Sequence, residues 1–382
     1  TVTDDFLLFK EIFQELKQNY VEEISDQELI KNAITGMLSN LDPHSKYYTP
    51  EEFQRIKHQT SGSFAGIGIE TGLNSEKDGL IVYKIFKNTP AASANLNVDD
   101  LIIKIDGQNV SELDPKMAVN ALRGEINTPV NLEIIREGNV LPLTIIRGNI
   151  KTPSLSTAAL YNNEFAYIRL DHFQTDSHLE IVDALQELEI ESRVNQATIQ
   201  GVILDLRDNN GGLLDASVEV ADLFMNGGLI TYTIGQSERH QRRFIAQEGD
   251  IIHDIPLVIL INSQTSSGAE IVAGALQDHN RAVIMGETSY GKGSVQYAVG
   301  LKNGQAIRYT VSRYYTPNGR SIQNQGITPD IIIPNIKAKI TASTNNLKNR
   351  EINNHGRLDN PNQSLAIARQ PADFADMIEQ DY

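Results

Sequence analysis

The sequence predicts a multidomain α/β protein with four parts along the chain. Apolar residues at helical spacing predict a helical segment over residues 1–62, and short β-rich runs between turn signals predict an inserted compact unit over residues 63–150. Beyond residue 150 strands alternate with helices, which indicates an α/β core with a largely parallel central sheet over residues 151–336. Residues 337–382 are polar with little periodicity, and we expect a loose tail or a late packing or dimerisation segment.

The composition of the 382 residues narrows the possible functions. The 33 Lys and Arg against 49 Asp and Glu give a net charge of -16, which argues against a general affinity for nucleic acid. The absence of cysteine excludes disulfides, thiolate metal sites and a cysteine nucleophile. No run of 18 apolar residues occurs, so we expect no membrane span. The chain begins without a methionine or a signal pattern, as a processed chain would.

The first segment contains helix signals at two places. Ser25 and Asp26 are expected caps, and Thr49 followed by Pro50 predicts a helix start after the turn in "LDPHSKYYTPEEF". We therefore expect two or three helices before the compact unit.

The unit over residues 63–150 contains the segment "NTPAASANLNVDDLIIKIDGQNV", and the order of its elements resembles a PDZ domain. The resemblance implies that a glycine-flanked loop binds the carboxylate of a peptide through main-chain amides, while the peptide joins the sheet as a strand. That loop would comprise Phe64, Ala65, Gly66, Ile67, Gly68 and Ile69. Taken alone, the two glycines indicate an ordinary tight turn, and the surrounding pattern favours the peptide site.

Two apolar strands of the predicted core, "GVILDLR" and "PLVILIN", are followed by the polar turns "DNNGG" and "SQTSSG". Ligands of such sheets bind beyond the carboxyl ends of the strands, so we expect both turns at the functional edge. Asp205 and Asp208 flank Arg207 near the first turn, where a salt bridge at the strand end explains them better than paired catalytic carboxylates.

Ser267 lies immediately before the helical run "AEIVAGALQDH", where free amides and the helix dipole favour developing negative charge. The structural alternative is a simple helix cap. Lys292 stands between two glycines, which permit close packing, and desolvation lowers a lysine's pKa toward that of a general base. The alternative is a solvated lysine in a turn.

Other catalytic patterns are missing from the sequence. It contains no "GxSxG" or "HExxH" motif. Its eight histidines, among them His44, His172 and His279, are scattered and are expected at the surface or at caps rather than as bases.

The segment from Asn262 to Gln296 resembles the active-site region of the carboxy-terminal processing peptidases, also called tail-specific proteases. In that family the nucleophilic serine stands three residues before a helix-opening Glu, and the lysine base follows 25 residues after the serine. Ser267, Glu270 and Lys292 match this spacing, and Gln296 matches the glutamine that orients the base. The alternative for Gln296 is a polar residue on an exposed strand face. Residues four apart on a strand share a face, so we expect Lys292 and Gln296 to point at one site. Ordered similarity extends over residues 5–335.

The sequence departs from the family pattern near the expected oxyanion hole. Gly268 and Ala269 stand where Ala and Ser are common, and Asn210 stands where Pro is common. The resemblance implies an oxyanion hole formed by Gly211 or Gly212 together with the amide of Gly268.

The resemblance implies a serine endopeptidase that cleaves proteins near exposed C-termini and needs no metal or other cofactor. Movement of the PDZ domain would gate the site, with Arg123 contacting the catalytic core; the alternative is a solvated arginine at a helix end. An activator or adaptor protein, a homodimer and an extracytoplasmic setting, the bacterial periplasm, are also implied. Two other functions stay open: a catalytically inactive PDZ adaptor for peptides, and an esterase or amidase acting on small acyl compounds.

Overall fold

The computed structural model describes residues 2–74, 78–333, 350–354, 357–361 and 372–373. The chain forms two compact units, one from Thr1–Ile56 with Ser154–Tyr382 and the other from Lys57–Pro153. The second unit is therefore inserted in the sequence of the first, and its bounds enclose the predicted range 63–150. Most of the predicted tail over residues 337–382 lies outside the described residues.

The described residues contain eight α-helices. In chain order they are α1 (Val2–Asn19), α2 (Asp26–Ser39), α3 (Pro50–Ser61), α4 (Pro90–Ser93), α5 (Pro115–Ala121), α6 (Ser177–Val194), α7 (Leu214–Asp222) and α8 (Gly268–Asp278). None of these helices combines the length and the apolar character that a bilayer span requires.

The same residues contain twenty β-strands. In chain order they are β1 (Lys46–Tyr48), β2 (Ser63–Gly66), β3 (Ile69–Leu73), β4 (Leu80–Ile85), β5 (Leu101–Ile105), β6 (Gln108–Asn109), β7 (Pro129–Arg136), β8 (Asn139–Ile146), β9 (Gly148–Lys151), β10 (Leu155–Tyr161), β11 (Phe165–Leu170), β12 (Gly201–Asp205), β13 (Gly228–Gly235), β14 (Arg242–Ala246), β15 (Leu257–Ile261), β16 (Ala282–Gly286), β17 (Ser294–Gly300), β18 (Ala306–Tyr315), β19 (Ile331–Ile332) and β20 (Ala372–Asp373).

The N-terminal helices begin where the sequence predicts. The hydroxyl of Ser25 accepts a hydrogen bond of 3.2 Å from the amide of Glu28 at the start of α2. At α3 a capping box forms, because Thr49 Oγ1 accepts from the amide of Glu52 at 3.3 Å and Glu52 Oε2 accepts from the amide of Thr49 at 2.9 Å. Local side-chain chemistry thus fixes both starts.

A seven-stranded sheet forms the core of the first unit, in the order β10-β11-β12-β15-β16-β19-β20. Strand β10 pairs antiparallel with β11, and the following pairings are parallel. Apolar residues of α6, α7 and α8 pack with β11, β12, β15 and β16 in one buried cluster. Because β12 and β15 are parallel neighbours, the turns that follow Asp205 and Ile261 lie at the same edge of the sheet.

A second, antiparallel sheet of the same unit has the order β1-β18-β13-β14, with β17 paired to β18. Strand β17 begins only at Ser294, and its register with β18 shifts between Val295 and Gln296. Lys292 therefore precedes the strand.

The described part of the C-terminal segment packs on the first unit instead of hanging loose. The side-chain amide of Asn360 donates to the main-chain oxygen of Gln323 at 2.7 Å, and that of Asn324 donates to the main-chain oxygen of Leu358 at 2.8 Å. These two hydrogen bonds join residues 357–361 to the residues that follow β18.

The inserted unit contains a six-stranded antiparallel sheet, in the order β3-β4-β5-β7-β8 with β6 on β5, and a separate ribbon of β2 and β9. Its apolar strand residues pack with those of α4 and α5 in a second buried cluster. Within the described residues β3 forms one edge of the sheet, so its outer main-chain groups can pair with an added strand.

Candidate active site

Ser267 occupies the N-cap position of α8, directly after β15 and its polar turn. Its backbone has φ 57° and ψ -117°, whereas a cap residue normally has an extended backbone. A positive φ at a non-glycine residue costs about 1–3 kcal/mol and persists where the surrounding structure enforces it. An ordinary cap does not account for this strain, which is typical of a functional turn.

The buried carboxylate of Glu270 joins the turn that carries Ser267 to the loop that carries Lys292. Its side chain is completely buried, and Oε2 accepts hydrogen bonds from the amides of Ser267 at 2.8 Å and Lys292 at 2.9 Å. The hydroxyl of Tyr314 lies 3.0 Å from the main-chain oxygen of Ser267 and also contacts that of Lys292. Two side chains therefore hold the main chains of Ser267 and Lys292 side by side, although the residues are 25 positions apart.

The second oxygen of Glu270 is held just as firmly. Oε1 accepts from the hydroxyl of Ser289 at 2.5 Å and from the amide of Gly291 at 2.7 Å. Burial raises the pKa of Glu270 to about 7, and these hydrogen bonds oppose the rise because they favour the ionised form.

Lys292 retains some exposed surface as a residue, but burial of its ammonium group is the largest influence on its pKa. Burial and the charge of Arg308 lower the pKa of Lys292 to about 8, while the negative charges of Glu351, Glu270 and Asp42 oppose the shift. With a pKa of about 8, about one tenth of the lysine is neutral at pH 7. A neutral amine is therefore available to take a proton.

Gln296 lies on β17, and its amide nitrogen donates to Ser294 Oγ at 2.9 Å and to Thr310 Oγ1 at 3.3 Å. The expectation that Lys292 and Gln296 share one face of a strand is not met, because Lys292 precedes β17 and the register shifts at Gln296. Strand periodicity thus does not determine where Gln296 points relative to the lysine.

The glycine turn after β12 packs directly against Ser267. A Cβ atom on Gly211, which has φ +90°, would lie 2.8 Å from the Cβ of Ser267 and 2.9 Å from the amide nitrogen of Gly268. No side chain fits there, so only glycine permits this close approach.

The amides of this turn differ in their partners. The N–H of Gly211 donates to the side-chain oxygen of Asn209 at 2.8 Å. Gly212 forms a parallel bridge with Phe173 that uses main-chain groups on either side of Gly212, so its own N–H points away from Phe173. Gly268 is the first residue of α8, where amides have no acceptor within the helix.

In the inserted unit, the predicted carboxylate loop is partly a strand. Its first three residues belong to β2, which pairs with β9, and Ile67 is buried in the core of the unit. Gly68 has φ +85°, and a Cβ there would lie 2.4 Å from the Cβ of Thr89. The sixth residue, Ile69, opens the edge strand β3. The turn between β2 and β3 is thus the part that can present amides beside an open edge.

Arg123 is exposed two residues after the end of α5. Its guanidinium lies 4.7 Å from the ring centroid of Phe64, which is within cation–π range. The structure thus brings the predicted regulatory residue next to the first residue of the predicted peptide-binding loop.

Two further groups have structural partners. Arg207 pairs with the buried carboxylate of Asp205 at 2.6 Å, at the end of β12. A ring nitrogen of His279 lies 2.7 Å from the main-chain oxygen of Leu229. Among the described residues no cluster of His, Asp and Glu could hold a metal ion.

Sequence reasoning missed several residues around the lysine. Tyr314 and Glu351 had no assigned part, and His44 was expected at the surface or at a cap, yet its side chain is only 16% exposed and pairs with Glu351. The spacing of Ser267 and Glu270 signalled a capping box, which could have indicated the bridging carboxylate. No local pattern marks the others.

The fold and the matching family profiles define a serine-type peptidase that carries a PDZ domain. The profile of peptidase family S41 matches residues 164–333, that of the PDZ domain matches residues 65–146, and that of the N-terminal domain of the activating protease CtpB matches residues 2–52.

The curated relatives agree with these profiles. The chain is 41% identical over 327 residues to a carboxy-terminal-processing protease of Bartonella bacilliformis, covering 85% of this chain and 74% of the relative. It is 35% identical to a carboxyl-terminal-processing protease of Synechocystis sp., covering 83% and 74%. A solved photosystem II D1 C-terminal processing protease is 26% identical with a TM-score of 0.48, covering 86% of this chain and 92% of that one. The chain belongs to the carboxy-terminal-processing protease family.

Proposed function

We propose that the chain is a serine endopeptidase in which Lys292 is the general base and Ser267 the nucleophile. The neutral amine takes the hydroxyl proton, and the serine oxygen attacks the carbonyl carbon of a peptide bond. The ammonium then protonates the leaving amine, and water, deprotonated by the same lysine, releases the acyl group from the serine. The observation that carries this proposal is the buried Glu270 oxygen that accepts from the amides of both residues.

The developing oxyanion needs amide donors beside the serine. We infer that the N–H groups of Gly212 and Gly268 supply them, since the N–H of Gly211 already donates to Asn209. Gly211 then contributes its close approach to the serine. Losing one such donor costs about 100-fold to 1000-fold in turnover.

Gln296 is the proposed orienting residue for the lysine. Because its amide nitrogen donates to Ser294 and Thr310, the acceptor side of the amide is its oxygen, and we infer that this oxygen accepts from the Lys292 amine.

The PDZ domain is the proposed binding site for the substrate's C-terminus. The substrate tail would pair with the open edge of β3, and amides around Gly68 would bind its carboxylate. Arg123, which packs on Phe64 in the same unit, is the proposed regulatory residue.

The partners and setting are inferred on separate grounds. Helix α1 exposes the apolar residues Phe6, Leu7, Phe9, Ile12 and Leu16, which supports a homodimer that covers them. An extracytoplasmic setting in the bacterial periplasm and an activator or adaptor protein are inferred from the family resemblance.

Cleavage of denatured casein by the full chain tests the function. We expect cleavage by the native chain and none by the Ser267→Ala and Lys292→Ala variants, with folding of each checked by circular dichroism. No cleavage by the native chain would support the PDZ adaptor, and unchanged cleavage by either variant would refute the assigned pair.

A tail-truncation series of one unfolded substrate, with products identified by mass spectrometry, tests the second half of the proposal. Loss of cleavage with loss of the final residues is expected of a protease that binds tails. Equal cleavage of every length would contradict the PDZ role and favour an enzyme that acts on acyl groups alone.

A further inference from the structure

Two distant turns of the chain meet beside the loop that carries Lys292. His44, in the turn before β1, has its Nε2 atom 2.8 Å and 3.0 Å from the two carboxylate oxygens of Glu351, in the 3₁₀ turn Glu351–Asn353. The two residues are 307 positions apart in the sequence. The Glu351 side chain has no exposed surface and that of His44 is 16% exposed, so this is a buried pair.

Asp42 fixes the His44 turn from the N-terminal side. Its carboxylate is buried and accepts from the amides of His44 at 2.8 Å and Ser45 at 2.9 Å, and from the Ser45 hydroxyl at 2.8 Å. The guanidinium of Arg308 donates to the main-chain oxygen of His44 at 3.3 Å. Asp42 and Arg308 therefore fix the main chain of the residue whose imidazole contacts Glu351.

Glu351 is linked to the chain on both sides of Lys292, directly at Tyr290 and through Gln323 at Gly293. Its amide donates to the main-chain oxygen of Tyr290 at 3.1 Å. Its Oε1 accepts from the Gln323 side chain at 3.3 Å, while the oxygen of the same Gln323 amide accepts from the amide of Gly293 at 2.9 Å. A Cβ on Gly293 would lie 2.9 Å from the main-chain nitrogen of Gln323, so the loop that carries Lys292 is in close contact with Gln323. Positions 290 and 293 are thus both fixed through Glu351.

A third contact ties the same turn to Tyr290. The side-chain amide of Asn354 donates to the Tyr290 hydroxyl at 2.7 Å and to Glu351 Oε2 at 3.1 Å. The C-terminal turn therefore bonds both the main chain and the side chain of Tyr290.

Glu351 is also one of the charges that act on the lysine. Burial, the largest influence, raises the pKa of Glu351, but hydrogen bonding and charge from His44 bring it below its usual range, so Glu351 is ionised at neutral pH. Its negative charge raises the pKa of Lys292, against the larger effects of burial and of Arg308.

The titratable and charged groups around the lysine come from each element packed there. They are Asp42 and His44 from the N-terminal turn, Glu270 from α8, Tyr290 from the lysine loop, Arg308 and Tyr314 from β18, and Arg350 and Glu351 from the C-terminal segment.

We propose that Glu351, held by His44, is a positioning residue for Lys292, so that the C-terminal turn Glu351–Asn353 completes the active site from outside the peptidase core sequence. The inference rests on the proposed Ser267 and Lys292 chemistry. Glu351 fixes the loop that places the amine, and its charge raises the pH at which the amine becomes neutral, against the larger effects of burial and Arg308.

The pH dependence of kcat/KM on a peptide substrate tests this role, because a merely structural residue would not move it. In Glu351→Gln the anion that favours the ammonium is gone, so the acid limb should move to lower pH by at least roughly half a unit. Loosening of the loop should lower kcat about tenfold at the optimum. Asp359→Asn, an exposed carboxylate in the same segment, is the matched control and should leave both unchanged.

Glu351→Asp keeps the test decisive if Glu351→Gln does not fold. The shorter carboxylate should retain the acid limb of the native enzyme because the charge stays. The value of kcat should fall because the hydrogen bonds of this carboxylate to His44, Gln323 and Asn354 lengthen. An acid limb and kcat in both variants equal to the native values would overturn the inference.

Ser267→Ala measured in parallel distinguishes failure of the proposed function from failure of the inference about Glu351. Native cleavage that does not depend on Ser267 overturns the proposed function and this inference with it. Cleavage that depends on Ser267 but is indifferent to Glu351 overturns the inference alone.

Discussion

Replacing Glu270 by Gln and by Leu should remove different numbers of the hydrogen bonds that join Ser267 to Lys292, and so lower the unfolding free energy to different extents. The native carboxylate accepts from three main-chain amides, those of Ser267, Lys292 and Gly291, and from one hydroxyl. A leucine accepts from none of them, so the buried amide of Gly291 and the partly buried amides of Ser267 and Lys292 lose their partner. At about 1–3 kcal/mol for each such group, the loss in unfolding free energy is about 3–9 kcal/mol.

A glutamine at position 270 should lower the unfolding free energy less than a leucine. Its oxygen can keep the amides of Ser267 and Lys292, while its NH₂ group donates to the hydroxyl of Ser289, which can act as an acceptor. Only the amide of Gly291 then lacks an acceptor, at a cost of about 1–3 kcal/mol. We therefore expect a folded Gln variant with reduced turnover and a Leu variant that is unfolded or inactive.

Chemical denaturation of the full chain, followed by circular dichroism, and peptide hydrolysis by the same samples measure both effects. Glu191→Gln, an exposed glutamate of α6, is the control and should stay within about 0.5 kcal/mol of the native protein. A Leu variant as stable and as active as the native chain would refute the bridging role of Glu270.

Three further predictions follow from the same geometry. Because the Lys292 pKa is lowered to about 8 and only the neutral amine accepts a proton, kcat/KM should rise with pH through about 8; a rate already flat from pH 6 would contradict a lysine base. Gly211→Ala places a Cβ 2.8 Å from that of Ser267 and so displaces the serine, and kcat should fall on the order of 100-fold in a protein that remains folded by circular dichroism; native turnover would disprove the close approach. In a Ser267→Ala background, Gly68→Ala, whose Cβ would lie 2.4 Å from that of Thr89, should abolish binding of a fluorescent C-terminal peptide in an anisotropy titration; unchanged affinity would exclude this turn as the carboxylate site.

The sequence predicts what depends on local pattern. Alternating apolar strands and helices indicate the layered core, and a serine three residues before Glu270 marks the start of α8. The rule for parallel sheets predicts that the polar turns after β12 and β15 lie at the same edge, where Gly211 packs against Ser267.

What the sequence does not reveal depends on distant contacts. His44 and Glu351 are 307 positions apart, and neither stands in a periodic segment that would indicate burial. The start of β17 at Ser294 is set by pairing with β18, so the strand periodicity assumed for Lys292 and Gln296 fails there. Tertiary pairing overrides local propensity at both places.

The pairing of Ser267 with Lys292 is tested most directly by covalent labelling with a fluorophosphonate at a series of pH values. Mass spectrometry of the digested full chain should locate the adduct on Ser267, at a rate that rises with pH through about 8 and falls at least about 100-fold in Lys292→Ala. An adduct on another residue, or labelling of Lys292→Ala at the native rate with the same pH dependence, would contradict it.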